Sequence, residues 1–517
     1  MPQTDEPLAE PQRPTGRKWW ALLPLLATLA ATPASVAGPN PKPDGPPPAA
    51  SKVAAPESPS DPAVMPAAVV EVIGASKLRL RGIDGSGVTV ALVDTGVAPV
   101  PALADPDKVV AMVDLSLEAG VPEARYLDTY GHGTHMAGII AGRSPDGAFQ
   151  GVAPGASLVS VKVGDNSGAV DVSQVIAGID WVVDHAHDLD IRVLNLSYGT
   201  DSTQDYRVDP LAFAVEEAWR AGIVVVVAVG NDGRGIRRLA DPALDPFVIA
   251  VAAADTARRT IQTPAWSTSG DGSRNPDVSA PGAHIVSLRA PGSRVDVEHP
   301  EGYVSETLFK GSGSSQAAAV VSGAVALLLE ERPWLTPDQV KALLRGAAEP
   351  IGGVPEEFQG RGRIDVFGAS KTEACATSQA WQPSSGSGAL ELARGSARVV
   401  IGGVPLSGEI TTLGEPWPGQ LDGAKHWAAG DFDGAHWTGA AWRGAAWREA
   451  AWTGAHWTGA SWLGAKWTSA SWRGDTWTGA KWTSATWTGA AWRDGSWTGA
   501  AWRDVSWSGA AWRGASW

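Results

Sequence analysis

The stretch Val88-Thr89-Val90-Ala91-Leu92-Val93-Asp94-Thr95-Gly96 decides the fold. Its first six residues are apolar or β-branched without alternation, the pattern of a short strand buried on both faces. The run ends at a carboxylate and a glycine, where a chain can leave a sheet and turn. Ile223 to Val229 repeats the pattern, Val193 to Leu196 is again strand-like, and helical periodicity fills the gaps. Within Asp171 to Asp188, apolar residues at 172, 175, 176, 179, 182 and 183 make one face of a helix. Asp209-Pro210 offers a cap and a first-turn proline for another, closed by Gly222. Thr336-Pro337-Asp338-Gln339 is a capping box before the last helix, which is expected to stop at Gly346. Strand–helix alternation of this kind predicts an α/β fold, a mostly parallel sheet covered by helices on both faces. Ligand sites in such sheets form at the carboxyl ends of the strands.

The chain of 517 residues is too long for one ordinary core. Arg17 and Lys18 precede an apolar stretch from Trp19 to about Ala31, and Ser35-Val36-Ala37 supplies small residues for cleavage. Residues 1–37 therefore read as a signal peptide and the protein as secreted. An N-terminal membrane anchor is the alternative, disfavoured because spanning takes roughly 20 residues. Residues 38–68 are a Pro/Ala-rich linker. Globular patterning occupies 69–370, and 371–426 reads as a linker with a small β-rich segment. In 427–517 a tryptophan recurs every five residues, unbroken from Trp437 to Trp517.

Composition bounds the partners. A formal charge of −14 leaves no broad basic surface to neutralise phosphates, so nucleic acid is excluded. Cys375 is the single cysteine, so no intrachain disulfide forms and stability must come from packing.

Four segments carry chemistry, each ambiguous alone. Asp94 ends a strand, where an aspartate is commonly a turn residue. His132 lies in Gly131-His132-Gly133-Thr134-His135 before a helical pattern. The two histidines are three apart with no glutamate between, unlike the zinc-protease helix, so no metal is assigned. Asn231 follows a strand in what reads locally as a turn. Ser315 sits in Gly311-Ser312-Gly313-Ser314-Ser315-Gln316-Ala317 at a helix start, where serine is commonly a cap. Together they supply a hydroxyl nucleophile, an imidazole base, a carboxylate to orient it and an amide for an oxyanion. The order Asp, His, Ser differs from that of chymotrypsin and of the α/β-hydrolases, and the elbow Gly-x-Ser-x-Gly fails at Ala317.

These blocks resemble those of the subtilisin-like (peptidase S8) serine peptidases. Val90 to Val97 is similar to the family's aspartate block, His132 to Gly138 to its histidine block, and Gly313 through Gly323 to its serine block. Val193 to Gly199 resembles the substrate-binding strand, and Asp277 to Gly282 the turn before the serine block. The similarity covers roughly residues 75–367. It implies a subtilisin-like three-layer fold and a serine endopeptidase acting on protein or peptide substrates. It also implies Asp94, His132 and Ser315 as the catalytic triad, with Ser315 chosen over Ser312 and Ser314 by the alignment of Gly323. Asn231 and the Ser315 N–H would form the oxyanion hole. Ser197, Tyr198, Gly199, Ala228, Val229 and Gly230 would wall the P1 pocket, whose neutral character favours an apolar side chain.

The chain departs from the family at Gln316 and Ala319, which stand where methionine and proline are usual. The family's calcium loop corresponds to Arg143 to Phe149, with Pro145 in place of an asparagine ligand. Calcium is thus left open and no cofactor is assigned. Only the proline-rich linker occupies the place of the usual inhibitory prodomain.

The tryptophan unit is approximately Ala-x-Trp-x-Gly, as in Ala440 to Gly444. Period five advances about 140° per unit on a helix, so no helical face forms. The unit resembles the pentapeptide repeat, which implies a β-solenoid tail. A disordered aromatic tract and a surface that contacts cell-wall sugars or protein through tryptophan remain open beside it.

Overall fold

Seven parallel strands form the sheet that organises this chain, in a computed structural model that describes residues 61–413 apart from 120, 122 and 402, residue 417, and the strand residues within 431–513. The expected signal peptide, and the expected linker as far as residue 60, lie outside the described residues. The strands are β1 (Thr89–Asp94), β2 (Val109–Asp114), β3 (Ser157–Lys162), β4 (Ile191–Leu196), β5 (Val224–Ala228), β6 (Ile249–Ala254) and β7 (Val278–Pro281), in the order β2-β3-β1-β4-β5-β6-β7. Every residue of β1, β5, β6 and β7 is buried, as the continuous apolar runs require. β2 lies at the sheet edge, and its burial alternates accordingly. The chain passes from β1 to β2 and β3 on one side, then crosses back over β1 to β4. That reversal opens a crevice at the carboxyl ends of β1 and β4, where ligands bind in open α/β sheets.

Helices flank the sheet. Val172–His185 begins at Asp171, whose carboxylate and the Gln174 side chain close a capping box. Pro210–Arg220 begins at Asp209, which accepts from the N–H groups of Leu211 and Ala212. Pro337–Ala347 has the expected Thr336–Gln339 box but passes through Gly346 and ends at Ala347; it is also not the last helix, since Val366–Lys371 follows. The serine helix, Ser314–Glu331, is buried from Ser314 to Leu329. It is apolar nearly all round, and it packs on β4, β5, β6 and the histidine helix His132–Ala141. Each of its fully buried leucines, Leu327 and Leu328, stabilises by about 1.5–3 kcal/mol. Ala319 continues this helix without a break where the family has proline.

A buried lysine and a half-buried arginine meet at Asp277. The Lys341 ammonium donates to the carbonyls of Phe247 and Val248 at 3.3 and 2.8 Å and lies 3.3 Å from Asp277. Arg274 donates to Asp277 and to the carbonyls of Ala243 and Asp245.

Residues 372–413, expected as a linker with short strands, contain a helical turn, Leu390–Ala393, and the antiparallel pair β8 (Val400–Ile401) and β9 (Val404–Pro405). Leu390 and Ala393 are fully buried in the main core cluster. In the tryptophan repeat, three-residue strands recur every five residues from Asp431–Asp433 to Ala511–Arg513. As far as Ala491–Arg493, each pairs in parallel with the strand 20 residues on, Trp437 opposite Trp457 and Trp457 opposite Trp477, so that the strands sort into four sheets.

Candidate active site

Asp94 is the last residue of β1, and His132 is the first of the histidine helix. Asp94 Oδ1 accepts from His132 Nδ1 at 2.7 Å and from the Thr95 N–H at 2.8 Å. The carboxylate side chain is 3% exposed and the imidazole 20%, so the ring alone reaches the cleft. This contact fixes the tautomer with the proton on Nδ1 and leaves the Nε2 lone pair able to accept a proton. Burial by itself would lower the His132 pKa. The Asp94 charge and hydrogen bond, with the charge of Asp128, outweigh that and raise it above the ordinary histidine value.

Two glycines permit the close approach. Gly131 precedes the helix at φ +109°, a conformation that costs L side chains energy. A Cβ on Gly133 would lie 2.1 Å from the Gly96 carbonyl oxygen and 3.2 Å from Asp94 Oδ1. The strand end and the helix start therefore touch backbone to backbone.

Asp128, which sequence reading did not single out, ties these pieces together. Its Oδ1 accepts from Thr95 Oγ1 at 2.8 Å and the Gly131 N–H at 2.6 Å. Its Oδ2 accepts from the Thr134 N–H and Oγ1, both at 2.7 Å. Thr95 Oγ1 in turn accepts from the Gly133 N–H at 2.9 Å. The available signal was a carboxylate four residues before His132 at a helix start, the pattern of a capping residue.

Ser315 is the second residue of the serine helix, 4% exposed, with its N–H ahead of the first intrahelical bond. Asn231 follows β5. Its Oδ1 accepts from the Ser314 N–H at 2.9 Å and Ser314 Oγ at 3.0 Å, which orients the side-chain amide. The neighbouring serine thus has a positioning role that the sequence did not disclose.

Ser197, Tyr198, Gly199, Ala228 and Gly230 meet Asn231, Ser314 and Ser315 around a cavity of about 60 Å³. Val229, expected on its wall, is instead fully buried in the core cluster and does not line it, because alternate residues of an extended chain face opposite sides. Ala240, Thr200, Asp201, Ser396 and Ala397 line the cavity and were not anticipated. A larger hollow of about 770 Å³, beside Arg238, Arg274 and Arg345, contains none of the four chemistry-bearing residues.

His135 is buried, and burial first, then the His132 charge, holds its pKa down to about 3, so it stays neutral. Among the described residues no three His, Cys, Asp or Glu side chains cluster to hold an ion. Calcium takes 6–8 oxygens. The Arg143 to Phe149 loop offers one carboxylate, Asp146, whose Oδ1 already accepts from Ser144 Oγ and the Ala148 N–H at 2.5 and 3.0 Å. The loop does not fit that ion.

A sequence profile of the subtilase family (peptidase S8) matches residues 85–380. Serine protease AprX of Bacillus subtilis is 37% identical over 298 residues, 55% of this chain and 66% of that protein's length. Subtilisin DY of Bacillus licheniformis is 32% identical over 308 residues, 58% of this chain and 97% of its own. Among solved structures, fervidolysin from Fervidobacterium pennivorans, described as a keratinolytic enzyme related to subtilisin, is 28% identical. That match covers 59% of this chain and 46% of fervidolysin, with a TM-score of 0.48.

Proposed function

The chain belongs to the subtilase family of serine endopeptidases, and from that premise we propose that it is an exported enzyme cleaving protein or peptide substrates through Asp94, His132 and Ser315. The observation that carries the reading is the 2.7 Å contact of His132 Nδ1 with Asp94 at the carboxyl edge of the sheet. Ser315 Oγ attacks the scissile carbonyl carbon while His132 Nε2 takes its proton. Asp94 keeps Nδ1 protonated and stabilises the imidazolium. His132 then protonates the leaving amine, and water repeats the sequence on the acyl-enzyme. The negative oxygen receives the Ser315 N–H and the Asn231 amide, a donor held in orientation before reaction begins and hence without reorganisation cost. Ser314, which fixes that amide, is a positioning residue.

Ser197, Tyr198, Gly199, Ala228, Gly230 and Ala240 are uncharged parts of the cavity wall and support an apolar P1 side chain, while Asp201, on the same wall, is engaged by Ser396. Export is supported by the Arg17 to Ala37 pattern, with an N-terminal anchor as the alternative; among the described residues no helix is long and apolar enough to cross a membrane. For the tail we propose a β-solenoid that presents a surface for cell-wall or protein contact. The 20-residue strand register and the unbroken tryptophan period support it.

A fluorophosphonate probe tests the nucleophile. Labelling is expected in the unaltered chain and in Ser314→Ala, and is expected to vanish in Ser315→Ala. Labelling that survives in Ser315→Ala refutes the assignment.

A further inference from the structure

The cavity beside Ser315 has a wall that comes from outside the catalytic core. Gly199 and Ala240 bound one part of it, while Ser396 and Ala397, some 80 residues beyond the nucleophile, bound another. This contact is built rather than incidental. Arg394 is fully buried, and its Nε donates to Asp171 Oδ2 at 2.6 Å, with both side chains 0% exposed. The same guanidinium donates to the Gly408 carbonyl at 2.6 Å and to that of Ile410. The segment is thus pinned to the cap of the helix Val172–His185 and closed on itself.

From this anchor the chain runs along the residues that directly follow the Ser197 to Gly199 wall. Thr200 Oγ1 donates to the Ala393 carbonyl at 2.7 Å. Asp201 accepts from the Ser396 N–H at 2.5 Å and from Ser396 Oγ at 2.6 Å, one on each carboxylate oxygen. Between them Gly395 adopts φ +58°, and a Cβ there would lie 2.2 Å from Asp201 Oδ1. Only glycine permits this spacing, so the strap is held at the rim at a fixed distance.

We propose that residues 394–397 are a specificity-determining wall of the P1 pocket, so that the segment after the catalytic core limits the size of the side chain accepted. This rests on the reading of Ser315 as nucleophile. Ser396 and Ala397 face the substrate side chain, and Arg394 is a positioning residue that acts through them. With about 60 Å³ of room, the pocket suits alanine-sized side chains better than aromatic ones.

The test uses the full chain and two substrates differing only in P1, Ala or Phe, in an otherwise identical peptide anilide. In a hydrophobic pocket one methylene changes discrimination by about 10–200-fold. Ala397→Leu is therefore expected to lower kcat/KM for Phe about 10-fold or more relative to Ala. Gly395→Ala, which forces the strap off Asp201, is expected to move the same ratio about 10-fold the other way. Fluorophosphonate labelling of each variant reports the nucleophile separately. An unlabelled wild-type chain defeats the parent reading. Labelled variants whose ratio does not move overturn the strap, as does an active species whose mass lacks residues 394–397. Should Ala397→Leu fail to fold, the direction of Gly395→Ala decides.

Discussion

Replacing Asp128 by asparagine removes one acceptor oxygen and one negative charge while keeping the shape of the side chain. In the native site the carboxylate receives four hydrogen bonds, from Thr95 Oγ1, the Gly131 N–H, and the Thr134 N–H and Oγ1. The threonine hydroxyls can rotate and accept from an amide, but a backbone N–H cannot. Whichever way the asparagine turns, one of the Gly131 and Thr134 N–H groups faces an NH2. A buried donor left so costs about 1–3 kcal/mol, and loss of charge assistance weakens each remaining bond by about 1 kcal/mol. Relief from burying a charge offsets part of this, so we expect a net loss of about 2–4 kcal/mol. Denaturant unfolding, measured on a Ser315→Ala background to prevent self-digestion, reads that value. The charge has a second consequence. Asp128 is one of the groups that hold the His132 pKa up, and the base must be neutral to act. In otherwise active Asp128→Asn, the acidic limb of kcat/KM against pH is expected to shift to lower pH. An unchanged unfolding free energy together with an unmoved acidic limb refutes the claim that Asp128 organises the site.

Asn231→Ala is expected to lower kcat about 10²–10³-fold with little change in KM, the scale known for oxyanion donors in subtilisins; a change confined to KM contradicts the role. Gly133→Ala places a Cβ 2.1 Å from the Gly96 carbonyl oxygen, so both unfolding free energy and fluorophosphonate labelling should fall. An active, fully stable Gly133→Ala chain means that the strand end and helix start are not in contact. Asp245 is pushed up to about 8 by burial first and the neighbouring Glu216 charge second. The folded state therefore holds a proton that the unfolded chain releases. The stability this gives is complete below the unfolded carboxyl value and lost as pH rises through about 8. Asp245→Asn on the Ser315→Ala background should accordingly lose less stability than its parent between pH 5 and 8, and parallel curves for the two exclude the effect.

How far the sequence reaches is decided by the range over which its signals act. β1 and β5 were legible because a strand buried on both faces is apolar nearly throughout, a local constraint satisfied within six residues. The meeting of Asp94 with His132, and of Asn231 with the start of the serine helix, was legible because a parallel sheet delivers its strand ends and helix starts to one edge. Residues that act through packing left fainter marks. Asp128 looks like any capping carboxylate until the fold sets its two oxygens between the Asp94 turn and the histidine helix. Val229 was misplaced by counting a wall as consecutive residues, although an extended chain turns alternate side chains to opposite sides.

Arg394 marks the limit. In the sequence it is one arginine after Leu390-Glu391-Leu392-Ala393, and a solvated side chain is the ordinary expectation for arginine. Its burial depends on Asp171, 223 residues earlier, whose carboxylate also caps a helix and is itself fully shielded. A buried pair of this kind is a weak source of stability, since desolvation of both charges consumes most of their attraction. Its geometric effect is stronger: an arginine that must meet the carboxylates of Asp171 and Glu391 and two particular carbonyls can occupy only one register. Because Gly395, Ser396 and Ala397 follow directly, fixing Arg394 fixes the rim of the cavity to within the play of one or two bonds. Substitution at Arg394 should therefore disturb the choice of substrate as well as the fold, and stabilising such a variant by other means should restore its Tm without restoring its P1 ratio.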